Sequence, residues 1–202
     1  MGVANPLEQF LHSGAPLLVL PDGQMIWNAA PPCALLPGSF NPLHQAHWRL
    51  AHHAAAILGQ PVAFELSVAN VDKPPLTQDD LRRRLTQFAW RASVWLTHAP
   101  RFVDKAERFP GTCFIVGVDT ALRLVSPRYY ADETYRDEAL RRLRDLECRF
   151  LVACRVVAEG TCLGLDDVPI PSEHREMFQE IPEEHFRWDI SSTELRQRGD
   201  TL

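Results

Sequence analysis

The chain has 202 residues and a formal net charge of −5, which suits one domain with a real core and argues against binding nucleic acid by bulk electrostatics. Its five cysteines (33, 113, 148, 154 and 162) include no Cys-x-x-Cys pair, so reduced thiols in a cytoplasmic protein are expected rather than a zinc site. No basic segment followed by an apolar core opens the chain, and the uncharged stretch 23–48 contains four prolines, so neither a signal peptide nor a membrane span is expected.

Residues 1–32 read as an N-terminal extension packed on a main domain of residues 33–202, with service to a partner as the alternative. Within it Pro6 to His12 is a short helix, and Leu17–Leu20 with Gln24–Trp27 flank the turn Pro21-Asp22-Gly23 as a small hairpin. Cys33-Ala34-Leu35-Leu36 is a short buried strand. Gly38-Ser39 then permits a tight turn with close backbone approach, and Pro42 suits entry into a helix over Leu43–Leu58 that Gly59 stops. His44 and His47, three apart in the first turn, share a face with the helix's leading N–H groups and its positive dipole end. Such a site suits an anion, above all a phosphate.

The run Gly38-Ser39-Phe40-Asn41-Pro42-x-His44-x-x-His47 resembles the signature of the HIGH-type nucleotidyltransferases. Its Phe-Asn-Pro portion looks most like the nicotinamide and nicotinate mononucleotide adenylyltransferase branch. The family pattern is His-x-Gly-His, and Ala46 stands here where Gly is usual.

Further on, Val62–Val68 is a second strand. Thr77 caps a helix that the spacing of Leu81, Leu85, Phe88, Ala92 and Trp95 carries to about His98. This loop and helix resemble the family segment in which a Lys and then an Arg approach the mononucleotide phosphate. The matching positions are Lys73 and Arg82, with Arg83 one register away; a solvated face for Arg82–Arg84 is the alternative. Thr112–Val118 is a buried strand ending in Gly117-Val118-Asp119-Thr120. That resembles a family segment in which Gly lets the nucleotide approach and Asp accepts hydrogen bonds from it; Asp119 as a plain helix cap is the alternative. Thr134–Glu147 is an amphipathic helix and Arg149–Cys154 a strand; residues 155–185 read as irregular and His185–Asp189 as a last strand. Ile190-Ser191-Ser192-Thr193-Glu194-Leu195-Arg196 fits the second family signature, Ile-Ser-Ser-Thr-x-x-Arg. Its hydroxyls and N–H groups open a helix toward one anion, with Arg196 on the face of Thr193; a capping box of Ser191 with Glu194 is the alternative. His52 and His53 belong to a helix surface, and Trp48, Trp90, Trp95 and Trp188 to the core.

Alternating strands and helices predict an α/β fold, a Rossmann-like parallel sheet flanked by helices with ligands beyond the strand C-termini. The resemblance implies transfer of AMP from ATP to a phosphorylated acceptor, nicotinamide or nicotinate mononucleotide, with release of pyrophosphate. It assigns His44, His47 and Arg196 to catalysis, and Gly38, Ser39, Phe40, Gly117, Asp119, Ile190, Ser191, Ser192 and Thr193 to the nucleotide. Lys73 and Arg82 would take the acceptor phosphate, and Mg²⁺ would enter through the ATP phosphates rather than on protein ligands. Phosphopantetheine, a phosphoalcohol with CTP, or a nucleotide-binding module without activity are the alternatives. A homo-oligomer is compatible with the sequence, which does not decide it.

Overall fold

Asn5 caps the first helix by accepting the Leu7 N–H, and α1 (Pro6–Ser13) begins with Pro and ends at Gly14, φ 67°. The computed structural model describes residues 5–69, 74–157 and 161–182. After α1 come β1 (Leu17–Val19) and β2 (Met25–Trp27), paired antiparallel as the expected hairpin. The main run is β3 (Ala34–Pro37), α2 (Gln45–Leu58), β4 (Ala63–Ser67), α3 (Gln78–Leu85) and β5 (Val94–Thr97). It continues through α4 (Phe102–Arg108), β6 (Cys113–Gly117), α5 (Val118–Val125), α6 (Glu133–Asp145) and β7 (Arg149–Ala153). A small hairpin of β8 (Arg155–Val156) and β9 (Cys162–Leu163) precedes β10 (Phe178–Ile181).

One eight-stranded sheet has the order β10-β7-β6-β3-β4-β5-β1-β2. Its strands from β10 to β5 are parallel, and the N-terminal hairpin extends it antiparallel through β1 against β5. The chain leaves the centre toward β5 with helices on one face, then returns beyond β3 with helices on the other, as right-handed crossovers require. Leu7 and Phe10 of α1, Leu50 and Ala54 of α2 and Leu81 of α3 therefore join Leu36, Phe64 and Leu66 in one core layer. Ala106 of α4, Ala121 of α5 and Leu140 of α6 join Leu35, Phe114 and Phe150 in the other. This is the expected Rossmann-like sheet, with its order reversing between β3 and β6.

Several expectations are corrected. The helix predicted to run to His98 stops at Leu85. A 3₁₀ turn over Thr86–Phe88 follows, Trp90 takes φ 61°, and Val94–Thr97 is a strand buried at every position. The three-to-four spacing of Phe88, Ala92 and Trp95 crosses two elements by coincidence, because a short apolar run reads alike as strand or helix. Trp90, expected in the core, is 80% exposed. Residues 155–185 are not simply irregular: they supply the β8–β9 hairpin and the sheet strand β10. Cys154 and Cys162 are joined in a disulfide across that hairpin, so the thiols are not all reduced. The expected strand 185–189, and Trp188 with it, lie outside the described residues.

Candidate active site

The site grows from the end of β3. Gly38 donates its N–H to the Glu65 carbonyl at 3.0 Å, continuing the β3–β4 ladder one residue past the strand. A side chain at Gly38 would place its Cβ 2.6 Å from Cζ of Phe40, so the glycine lets the chain fold back over that ring. Phe40 itself sits at φ 45°, a conformation that costs a non-glycine residue roughly 1–3 kcal/mol. Its ring is 1% exposed and meets Phe64, Phe88 and His47 edge to face at centroid distances of 5.4, 5.3 and 5.1 Å. Burying a phenylalanine is worth about 1.5–3 kcal/mol, which offsets the backbone strain.

His44 is the cap of α2 rather than a residue of its first turn, with φ −139° and ψ 174°, and the helix begins at Gln45. Pro42 accordingly precedes the helix instead of starting it. The two histidines still meet: their rings lie 3.8 Å apart, and His44 donates its backbone N–H to Nδ1 of His47 at 3.2 Å. With Nδ1 accepting, the ring hydrogen of a neutral His47 sits on Nε2. Burial, and then the neighbouring His44, push the His47 pKa down to about 3; burial also lowers that of His44. At neutral pH both rings are uncharged, and His47 offers one hydrogen-bond donor beside a helix N-terminus. Ala46 is 7% exposed and belongs to the apolar core with Leu43 and Leu50.

The second strand end lies beside the first, because β3 pairs with β6. Gly117 caps α5 with an extended backbone, and a Cβ there would meet nothing within 4 Å. The cap is thus Gly117 and not Asp119, whose carboxylate takes a hydrogen bond and ion pair from Arg155 at 2.6 Å. Gly38, Ser39 and Phe40 therefore form a turn that leads to His44 and His47 at the start of α2, and Gly117 ends the adjacent strand, with Asp119 following it, at the point where the sheet order reverses. Ligands of open α/β sheets bind at that crevice.

Arg82 points elsewhere. It pairs with Asp79 at 3.7 Å on the surface and lines a cleft of about 390 Å³ with Leu7, Val19, Met25 and Trp90, away from the histidines. Its two neighbours reach the loop instead: Arg83 donates to Asn41 Oδ1 at 3.0 Å, and Arg84, 9% exposed, donates to the Ser39 carbonyl at 2.6 Å. The solvated face foreseen for 82–84 thus holds for Arg82 and not for Arg84. The sequence reading missed Arg84, Gln87 and Arg155 as neighbours of the site. Arg84 and Gln87 are three apart on the stripe that also carries Leu81 and Phe88, the one available signal that they face inward. Lys73, Ile190, Ser191, Ser192, Thr193 and Arg196 lie outside the described residues.

Comparison with known proteins gives this arrangement a family. The profile of the cytidylyltransferase-like family matches residues 35–198, most of the chain. The chain belongs to the cytidylyltransferase-like family. It is 34% identical over 96 residues to a probable nicotinate-nucleotide adenylyltransferase of Trichlorobacter lovleyi; the match spans 46% of this chain and 43% of that relative. A solved Plasmodium falciparum nicotinic acid mononucleotide adenylyltransferase, complexed with NaAD, superposes with a TM-score of 0.46 at 16% identity, covering 81% of this chain and 82% of that one.

Proposed function

We propose that this member of the nucleotidyltransferase-type family transfers AMP from ATP to a pyridine mononucleotide, nicotinate or nicotinamide mononucleotide, and releases pyrophosphate. The observation that carries the reading is the close pair His44–His47 following a glycine turn at a helix N-terminus, beside Gly117 where the sheet order reverses. These are donors without a nucleophile, which suits phosphoryl chemistry done by positioning and charge dispersal. A phosphate oxygen of the acceptor attacks the α-phosphorus of ATP, a new P–O bond forms, and the bond to the β-phosphate breaks as pyrophosphate leaves.

In this reading His47 donates from Nε2 to the α-phosphate as negative charge builds, and His44 orients the phosphates. Gly117 lets the nucleotide lie against the backbone, and Asp119 exchanges Arg155 for the nucleotide's hydroxyls. Ser192, Thr193 and Arg196 steady the leaving group, with Ile190 and Ser191 against the nucleotide, and Lys73 holds the acceptor phosphate. Arg82 joins it by leaving Asp79; that pair is exposed on both sides and worth about 1 kcal/mol at most. The loop presents N–H groups and imidazoles, which suit phosphate oxygens rather than a cation. Mg²⁺ would therefore arrive on the triphosphate, where it neutralises charge on the phosphate oxygens. The relative of Trichlorobacter lovleyi, named for the nicotinate nucleotide, supports that acceptor. The test is pyrophosphate release with ATP or CTP against nicotinate mononucleotide, nicotinamide mononucleotide and phosphopantetheine. Turnover with ATP and one of the two pyridine mononucleotides is expected; turnover only with CTP or only with phosphopantetheine would replace this reading.

A further inference from the structure

Among the described residues, the turn that leads to the histidines is held by two side chains that the transferase reading does not use, Arg84 and Gln87. Gln87 reaches across from the turn after α3 and grips the loop at two points. Its Nε2 donates to the Phe40 carbonyl at 3.0 Å, and its Oε1 accepts the Leu43 N–H at 2.7 Å. The same Nε2 donates to the Arg84 carbonyl at 3.2 Å, which fixes which way the amide faces. One turn earlier Arg84, nearly buried, donates to the Ser39 carbonyl at 2.6 Å. Two consecutive backbone positions of the turn, Ser39 and Phe40, and Leu43 next to His44 are thereby tied to α3 and the turn that follows it.

The consequence follows from the planarity of the peptide group. In a trans peptide the C=O and N–H point in opposite directions, and the Ser39–Phe40 bond is not among the cis bonds of the described chain. A Ser39 carbonyl turned onto Arg84 therefore turns the Phe40 N–H away from α3. The same contacts hold Phe40 in its positive-φ conformation, and successive N–H groups around such a residue form concavities that suit anions. We infer that Arg84 and Gln87 are positioning residues for phosphate binding: they set the backbone of residues 39–43 so that the turn and His44 present donors to a phosphorylated ligand, without touching that ligand themselves. This rests on the transferase reading of the loop.

The test uses the full chain and two conservative variants. Gln87→Glu has the same shape and keeps an acceptor for Leu43, but sets an oxygen against the carbonyls of Phe40 and Arg84. Arg84→Met keeps the stem and removes the donor. The measurements are the melting temperature, amide exchange at Phe40, Asn41 and Leu43, the Kd for inorganic pyrophosphate and for ATP, and kcat with the acceptor KM. The expected result is faster exchange at the Leu43 amide in Gln87→Glu, with melting shifted by only a few degrees. Both ligands should bind 10- to 100-fold more weakly, and kcat should fall by a similar factor while the acceptor KM moves little. Faster exchange with unchanged ligand affinity would reduce the contacts to ordinary fold support and overturn the inference. So would unchanged exchange with weaker binding, since the effect would then not run through the loop. If Arg84→Met does not fold, the decision falls to Gln87→Glu alone. Failure of the wild type to bind either ligand would instead sink the transferase reading and this role with it, a result visible without any variant.

Discussion

Gly38 and Gly117 both end strands at the candidate site, yet they are glycines for different reasons. A Cβ at Gly38 would press on the buried ring of Phe40, whereas one at Gly117 would enter open space on an ordinary extended backbone. Gly38→Ala should therefore destabilise the fold by about 1–3 kcal/mol in urea unfolding, since Phe40 is packed on every side. Gly117→Ala should leave the unfolding midpoint unchanged and weaken ATP binding, because only a nucleotide would occupy that space; unchanged ATP affinity would remove Gly117 from the site. His47 adds a pH signature. Its folded pKa of about 3 lies below the ordinary 6.5, so below pH 6.5 the unfolded chain binds a proton that the folded chain refuses. Stability is complete above pH 6.5 and falls as the pH drops toward 3, by on the order of 5 kcal/mol in total. Asp104 and Asp137, held low by hydrogen bonds from Arg101 and Arg136, also lose stability with acid, so the comparison must be made against a variant. His47→Gln keeps an acceptor for the His44 N–H and should flatten the slope between pH 6 and 4 by up to about 1.4 kcal/mol per pH unit. Parallel curves for the two proteins would contradict the burial of His47.

At the scale of elements, the strand ends are tied beneath the site by an ion pair that no motif announces. Lys105 of α4 donates to both carboxylate oxygens of Glu65 on β4 at 2.8 Å and to the Ala99 carbonyl at 2.7 Å. Thr97 of β5 donates to the same carboxylate. Lys105 and Glu65 are 5% and 1% exposed, and every donor of the ammonium is used. Lys105→Met should cost about 3–5 kcal/mol by stranding a buried carboxylate, while Lys105→Met with Glu65→Leu should recover much of it, measured by chemical denaturation. The Glu65 backbone carbonyl also receives the Gly38 N–H, so this network and the signature loop share one residue. Where local chemistry was unambiguous, the sequence was readable: Gly59 stops α2 at φ 62°, Thr77 caps α3, and β6 and β7 are largely apolar runs. Reading failed where only tertiary packing decides. Val94–Thr97 is a strand because β4 and β1 flank it, and Arg84 is buried because the Ser39 carbonyl waits for it.

For the whole molecule, the doubly wound sheet brings residues far apart in the chain to one edge, and the alternation of strands and helices made that edge predictable. The N-terminal helix and hairpin were readable, but not that β1 would join the main sheet against β5. Leu17 and Phe10 are completely buried, β1 pairs with β5, and His98 meets the Phe10 carbonyl through Nε2 at 3.0 Å with its ring 4.7 Å from that of Phe10. A chain trimmed to residues 33–202 should lose cooperative thermal melting, because it bares the β5 edge and one flank of the core; an intact transition would show that the hairpin is dispensable. The candidate site itself was legible from two histidines and a glycine turn, since covalent spacing alone brings those together. Its supports from α3 and from Arg155 were not, because they depend on which elements pack side by side. The most direct test of the account is steady-state pyrophosphate release from ATP with nicotinate mononucleotide, comparing wild type with His47→Ala. We expect turnover by the wild type and a fall in kcat of about 10²–10³-fold in the variant with folding intact; a variant as active as the wild type would contradict the central role given to His47.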